Sequence, residues 1–223
     1  MIKGLTFKNA NEAFAFFKTE ILVFGERRNN TVRLKNVSFT ILNPLDNLIT
    51  DKSRKWSKRY ADREFEWYKS ENRSVEEIKK YAPIWDNMHN GDNIVNSNYG
   101  YQLNRNGQLD RIINTLTTDK NSRQAWVTIY DGKEWEEHSK DTPCTLNLGF
   151  DISNTNKLDM TVLMRSNDLW YGFCNDQYCF SNYQKEIADS LELEVGVYHH
   201  FASDLHLYDD QVEIVKQELL KFK

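Results

Sequence analysis

Cys144 follows Thr142-Pro143, and downstream come Arg165-Ser166-Asn167-Asp168, Gly172 and Asn175-Asp176. The thiolate, not the thiol, is the strong nucleophile, so catalysis by Cys144 needs a pKa brought down toward neutrality. Arg165 closes a strand expected beside the one that Cys144 opens, and its guanidinium would supply that field. The bland reading of a free cysteine is a small buried hydrophobe, and it is assigned to Cys174 and Cys179.

Other reactive groupings are less promising. Three cysteines without a Cys-x-x-Cys pair suit neither a disulfide framework nor a structural zinc site. His199 and His200 would point to opposite faces of a strand, a poor arrangement for a metal, so no metal is expected. A net charge of -4 argues against a direct nucleic-acid footprint, while an anionic small ligand held by local arginines fits. No run of about 18 apolar residues suggests a membrane span, and Met1-Ile-Lys-Gly-Leu-Thr-Phe lacks the apolar core of a signal peptide. A cytoplasmic protein is expected.

The positioning elements are read from periodicity. The 223 residues form one expected domain, without repeats or a Gly/Pro/Ser linker. Helices are expected at 11–22 with Gly25 as its stop, at 60–70, at 107–118, at 176–191 and at 206–222. Ser74-Val-Glu-Glu77 reads as a capping box opening a short further helix. Strands are expected at 31–42, with a bulge at Lys35-Asn36 and a stop at Asn43-Pro44, and at 124–130, 144–152, 157–165 and 194–203. The layout is α+β, a mixed sheet flanked by helices.

The cysteine joined to an Arg-Ser-x-Asp turn resembles the thymidylate synthase superfamily, and the likeness runs from about Arg28 to Tyr208. It implies a thymidylate synthase-like fold and a homodimer with shared active sites. It also implies a nucleotide substrate, and 5,10-methylenetetrahydrofolate as the one-carbon source. By the same resemblance, Cys144 adds to C6 of a pyrimidine and Glu64 organises water and proton transfer at the base. Arg28-Asn29 resembles the phosphate-binding loop, Arg165 and Ser166 belong to the substrate turn with Asn167 and Asp168, and Asn121-Ser122-Arg123 resembles the loop that reaches the partner's phosphate. Trp85-Asp86 and Asn98-Tyr99-Gly100 resemble segments lining the folate pocket, and His206 and Tyr208 those holding the deoxyribose 3'-hydroxyl. Gln124 stands where a second clamp arginine is usual, with Arg27 a possible substitute, and Thr145 stands where a His usually follows the cysteine.

Asp176 occupies the position of the family's base-reading Asn. Uracil offers an N3-H donor and an O4 acceptor, which an amide matches; cytosine reverses both, which a carboxyl matches. Met164 to Asp168, Gly172 to Asp176, Glu64 to Lys69 and Asn96 to Gly100 are most similar to phage deoxycytidylate hydroxymethylases. The resemblance therefore implies 5-hydroxymethylation of dCMP, in the host cytoplasm if the chain is phage-encoded. The fifteen residues after Tyr208 suggest a wetter site than a long closing segment would give, which favours water over hydride at the exocyclic methylene. Methylation of dCMP, thymidylate synthesis and an idle nucleotide-binding paralogue are the alternatives.

Overall fold

Strand β3 (Thr31–Ile41) and strand β8 (Glu194–Tyr208) form the longest antiparallel pairing of the molecule, from Thr31 opposite Tyr208 to Ile41 opposite Tyr198. The computed structural model describes residues 4–132 and 140–221. Around this pair the sheet runs in the order β1-β3-β8-β6-β5-β4, with β1 at Leu5–Phe7, β6 at Lys157–Met164, β5 at Thr145–Ile152 and β4 at Trp126–Thr128. Strand β2 (Glu26–Arg28) pairs with β3, and β7 (Asn167–Asp168) pairs with β8. Parallel β6–β8 and antiparallel β5–β6 pairings make the sheet mixed, as expected.

Helix α1 (Ala10–Phe24) forms because Asn9 caps it, accepting from Glu12 N–H at 2.9 Å, and because Ala10, Ala13, Phe14, Phe17 and Ile21 recur on one face. That face packs on the sheet, where the Phe17 and Phe39 rings lie 4.8 Å apart. Helix α2 (Lys58–Lys69) is capped by Ser57, α3 (Tyr99–Asn104) by Asn98, and α4 (Gln108–Thr118) follows Gly107 at φ 66°. Helix α5 (Cys174–Ser190) is entered through a π-type turn at Leu169–Phe173, and α6 spans Asp209–Leu220. No helix among the described residues is long and apolar enough to cross a membrane.

Three expectations need correction. The kink at Lys35-Asn36 inserts no residue, since Lys35 faces Asp204 and Val37 faces Ala202; Asn36 absorbs it at φ 51°, a region Asn tolerates. Ser74 opens no capped helix: its hydroxyl accepts from Glu76 N–H at 3.4 Å, and 3-10 turns follow at Ile78–Lys80 and Pro83–Asn87. Residues 206–208 are strand, because Leu205 and Leu207 are both buried as β8 continues past Ser203. Phe222, the expected end of the last helix, lies outside the described residues.

The sheet's inner face carries Phe39, Met160, Val162, Tyr198, His200 and Ala202, all buried. Its other face, with Thr40, Thr161, His199 and Phe201, is only partly covered. Helices α2 and α3 meet backbone to backbone: a Cβ on Gly100 would lie 1.7 Å from the Tyr68 carbonyl oxygen. Gly100→Ala should therefore push α3 away and destabilise the protein by about 1–3 kcal/mol. Urea midpoints would measure this, and an unchanged midpoint would mean that the contact is not tight.

Candidate active site

Cys144 stands at the entrance of β5 and Arg165 at the exit of β6, and Arg165 N–H donates to the Cys144 carbonyl at 2.9 Å. The Thr142-Pro143 segment aims the guanidinium: Nε donates to Pro143 O at 2.9 Å and Nη2 to Thr142 O at 2.6 Å. Nη2 is then 3.8 Å from Cys144 Sγ. The expected lowering of the thiol does not follow from this contact. Burial pushes Cys144 up to about 11; Arg165 opposes the rise, while the charges of Asp176, Asp141 and Asp168 add to it.

Glu64 lies on α2 with one oxygen held and one free. Tyr60 Oη donates to Oε1 at 2.7 Å, and Trp85 Nε1–H donates to Tyr60 Oη at 3.0 Å. Oε2 is buried and has no hydrogen-bond partner among the described residues. Burial raises Glu64 to about 7, with the Tyr60 hydrogen bond pulling the other way. Tyr60 was not among the expected site residues, although its i, i+4 relation to Glu64 on one helix face was a usable signal.

Asp176, in the first turn of α5, is held well above the ordinary carboxylate range by burial, then by the charges of Glu64 and Asp168. Asn167 Nδ2 donates to Asp176 Oδ2 at 3.4 Å, so Asn167 acts on its neighbour rather than standing in open space. A Cβ at Gly172 would sit 3.3 Å from Asn167 Nδ2 and 3.4 Å from Asp176 Oδ2, so glycine there leaves the pair uncrowded. Asp168 Oδ1 accepts from Trp170 N–H at 2.7 Å and Tyr171 N–H at 3.2 Å, and burial raises its carboxyl while His206, opposite it across β7–β8, counters.

A cleft of about 550 Å³ joins the expected phosphate and sugar groups, with Arg28, Arg165, Ser166, His206 and Tyr208 in its wall. Asp204 organises it, accepting from Arg33 Nη1 at 2.6 Å, Arg28 Nη1 at 3.4 Å and His206 Nδ1 at 3.0 Å. Arg33 and Lys35 also line the cleft and were missed; both stand on β3 as ordinary surface cations in the sequence. Arg27 is committed to Asp209 through a forked ion pair, so it is not a free substitute for the missing clamp arginine. Arg123 lies on the loop after α4, exposed and outside this cleft, with no hydrogen bond or ion pair among the described residues.

The expected folate-lining residues divide. Tyr99 is buried, and the charges of Asp176 and Cys144 both act on its hydroxyl. Trp85 reaches Glu64 only through Tyr60, and Asp86 is exposed, accepting from Lys79 Nζ at 3.1 Å. Tyr81 and Ile84 near it in the chain are also exposed, and Arg63 lies over the Tyr81 ring.

Residues 19–222 match the family model described as Thymidylate synthase. A deoxyuridylate hydroxymethyltransferase of Pseudomonas phage M6 is 26% identical over 165 residues, covering 70% of this chain and 47% of that protein. The thymidylate synthase of Streptococcus pneumoniae (strain ATCC BAA-255 / R6) is 27% identical over 168 residues, covering 72% of this chain and 60% of that protein. The chain thus spans about half to three-fifths of the length of these curated relatives. The structure of thermostable thymidylate synthase A from Bacillus subtilis shares the fold, with a TM-score of 0.76 at 21% identity over 93% of this chain and 83% of that one. The family match takes in Glu64, Cys144, Arg165 and Asp176, of which Arg165 and Asp176 act on the half-buried Cys144 thiol and Glu64 on Asp176, and the chain belongs to the thymidylate synthase family.

Proposed function

We propose that the protein is a deoxycytidylate 5-hydroxymethyltransferase, one catalytic domain working as a cytoplasmic homodimer with shared active sites. The observation that carries this reading is the half-buried Asp176 carboxyl, held well above the ordinary carboxylate range by burial and by the charges of Glu64 and Asp168, which favours its protonated form. A protonated carboxyl donates to N3 of cytosine and accepts from its N4 amino group. Uracil would leave buried groups mispaired at about 1–3 kcal/mol each.

The remaining groups divide the chemistry. Cys144 Sγ adds to C6 of the base and transfers electron density to C5, with Arg165 stabilising the thiolate as it forms. Arg28, Arg165 and Ser166 hold the phosphate, and His206 with Tyr208 meets the sugar hydroxyl. Bound beside Trp85, Asp86 and Tyr99, 5,10-methylenetetrahydrofolate would supply a one-carbon unit at the oxidation level of formaldehyde. Glu64, whose free Oε2 is held near neutrality, exchanges protons with the base and directs water to the exocyclic methylene. Arg123 would reach the phosphate held by the partner subunit across the partly covered face of the sheet.

The name of the phage M6 relative favours the same product chemistry on the other base, hydroxymethylation of deoxyuridylate. Mass spectrometry of products from dCMP and dUMP with methylenetetrahydrofolate separates these readings from methyl transfer.

Glu64 should leave a mark on stability. Its carboxyl moves from 4.5 in the unfolded chain to about 7 when folded, so the proton's contribution is complete below the first value and is lost as pH rises through the second. Glu64→Gln cannot ionise and should gain on the wild type by on the order of 3 kcal/mol between about pH 5 and about pH 8, while losing turnover. Urea unfolding at both pH values measures it; parallel behaviour would return Glu64 to the ordinary carboxylate range.

Cys144→Ser and Arg123→Ala should each be inactive alone, and subunit exchange between them should restore activity, because one site of the heterodimer lacks both lesions. Exchange without recovery would remove Arg123 from a shared site.

Asp176→Asn should turn the preference from dCMP toward dUMP, changing the ratio of kcat/KM values by on the order of 10². Steady-state kinetics on both nucleotides decides it. A wild type that prefers dUMP, or a ratio the substitution does not move, would take cytosine recognition away from Asp176.

A further inference from the structure

Behind Asp176 lies a chain of buried polar groups that the proposed reaction does not use. His200 Nε2 is 3.1 Å from Asn167 Oδ1, and Tyr198 Oη is 3.4 Å from His200 Nδ1. Asn167 Nδ2 completes the chain at Asp176 Oδ2. The His200 ring is clamped among aromatics, with centroids 4.9 Å from Phe39, 5.5 Å from Phe173 and 5.9 Å from Tyr198. The ring therefore cannot turn without disturbing the core.

We infer that His200 is a positioning residue for base recognition, which with Tyr198 sets the direction of the hydrogen-bond chain through Asn167 and so decides which oxygen of Asp176 carries the proton offered to the base. This rests on the cytosine reading of Asp176 and deepens it.

Two directions are chemically self-consistent. In the first, Tyr198 donates to His200 Nδ1, His200 Nε2–H donates to Asn167 Oδ1, and the Asn167 amide donates to Asp176 Oδ2. Oδ2 then acts only as an acceptor and the proton sits on Oδ1, which gives cytosine one donor and one acceptor. In the second, the Asn167 amide is turned over, so that Asp176 donates its proton to Asn167 Oδ1, Asn167 Nδ2 donates to His200 Nε2 and His200 Nδ1–H donates to Tyr198 Oη. The base would then meet acceptors alone, which mispairs cytosine N3.

The Tyr198 end decides between them. Its hydroxyl is fully buried and makes no other hydrogen bond among the described residues. The reversed direction would orphan the Tyr198 proton, whereas the first orphans only lone pairs, and buried orphan donors are the rarer and costlier case. A relay of this kind also needs a neutral imidazole, with one nitrogen donating and the other accepting. Burial lowers His200 to about 3, which keeps it neutral.

The test compares Kd and kcat/KM for dCMP and dUMP in the full chain. His200→Phe fills the aromatic pocket without a donor and should lower the dCMP-to-dUMP ratio about tenfold or more, by orphaning one buried acceptor next to the base reader. His200→Gln, which offers an amide donor at similar reach, should restore the ratio to within about threefold of the wild type. Tyr198→Phe removes only the direction-setting donor and should lower the ratio severalfold, and it decides the matter if His200→Phe does not fold. Ratios unchanged in the folded variants overturn the relay while leaving Asp176 as base reader. A wild type without preference for dCMP overturns the cytosine reading itself.

Discussion

The site is governed by the cost of placing several acids in one dry space, with Arg165 beside Cys144 and Arg54 acting on Asp168 to offset it. Cys144, Glu64, Asp168 and Asp176 are all held above their ordinary pKa values, in each case chiefly by burial. Each ionisation would raise the cost of the next, so burial and mutual repulsion both favour the protonated forms in the ligand-free site. Moving a proton from a thiol at about 11 to a carboxylate at about 7 costs on the order of 5 kcal/mol. A further cation about 4 Å away contributes on the order of 4 kcal/mol at an effective dielectric of about 20. The resting thiol and an incomplete ring of cations are thus two sides of one condition, and a second subunit's arginine is the kind of group that would relieve it.

The fold meets this constraint by fixing one atom of each acid and leaving another free. Glu64 is tied at Oε1 by Tyr60 and Trp85, and Asp176 at Oδ2 by Asn167. Strand pairing does the same for Cys144: the β5–β6 register sets Arg165 beside it, and two carbonyls before the cysteine hold the guanidinium in place. Parallel pairing of β7 with β8 sets Asp168 opposite His206, which joins the acids around Asp176 to the cleft lined by Arg28 and Tyr208. Because the ties are backbone registers and helix positions, the reactive atoms need little rearrangement when a ligand arrives.

Much of this was legible in the sequence where periodicity or spacing is long enough to average over local accidents. Helices α1 and α4 and strands β3, β5 and β6 follow from their apolar repeats. Strands β1, β2 and β7, three residues or fewer, carry no measurable period and exist only because neighbours hold them. Asp204-Leu-His-Leu-Tyr208 alternated as a strand should, yet the acidic residues after it drew the helix start too early. Of the site, the linear run from Arg165 to Asp176 could be read as a unit. Tyr60 was within reach through its spacing to Glu64, but His200 was not, since its link to Asn167 depends on how β8 lies against β7.

The acid constraint and the polar relay together explain how a single side chain could decide the base. An amide at position 176 would fit the same socket and would carry its own fixed donor and acceptor. A carboxyl has no such built-in direction: to read cytosine it must be protonated, which burial beside Glu64 and Asp168 favours, and its proton must be assigned to one oxygen. The first requirement is met by crowding acids and the second by a neutral hydrogen-bond chain that reaches into the core. Neither device works alone, because an ionised Asp176 would offer acceptors only and a protonated but undirected one would offer its donor to Asn167 as readily as to a base. On the proposed reading, base selection in this chain is a property of the surroundings of residue 176 as much as of the residue itself.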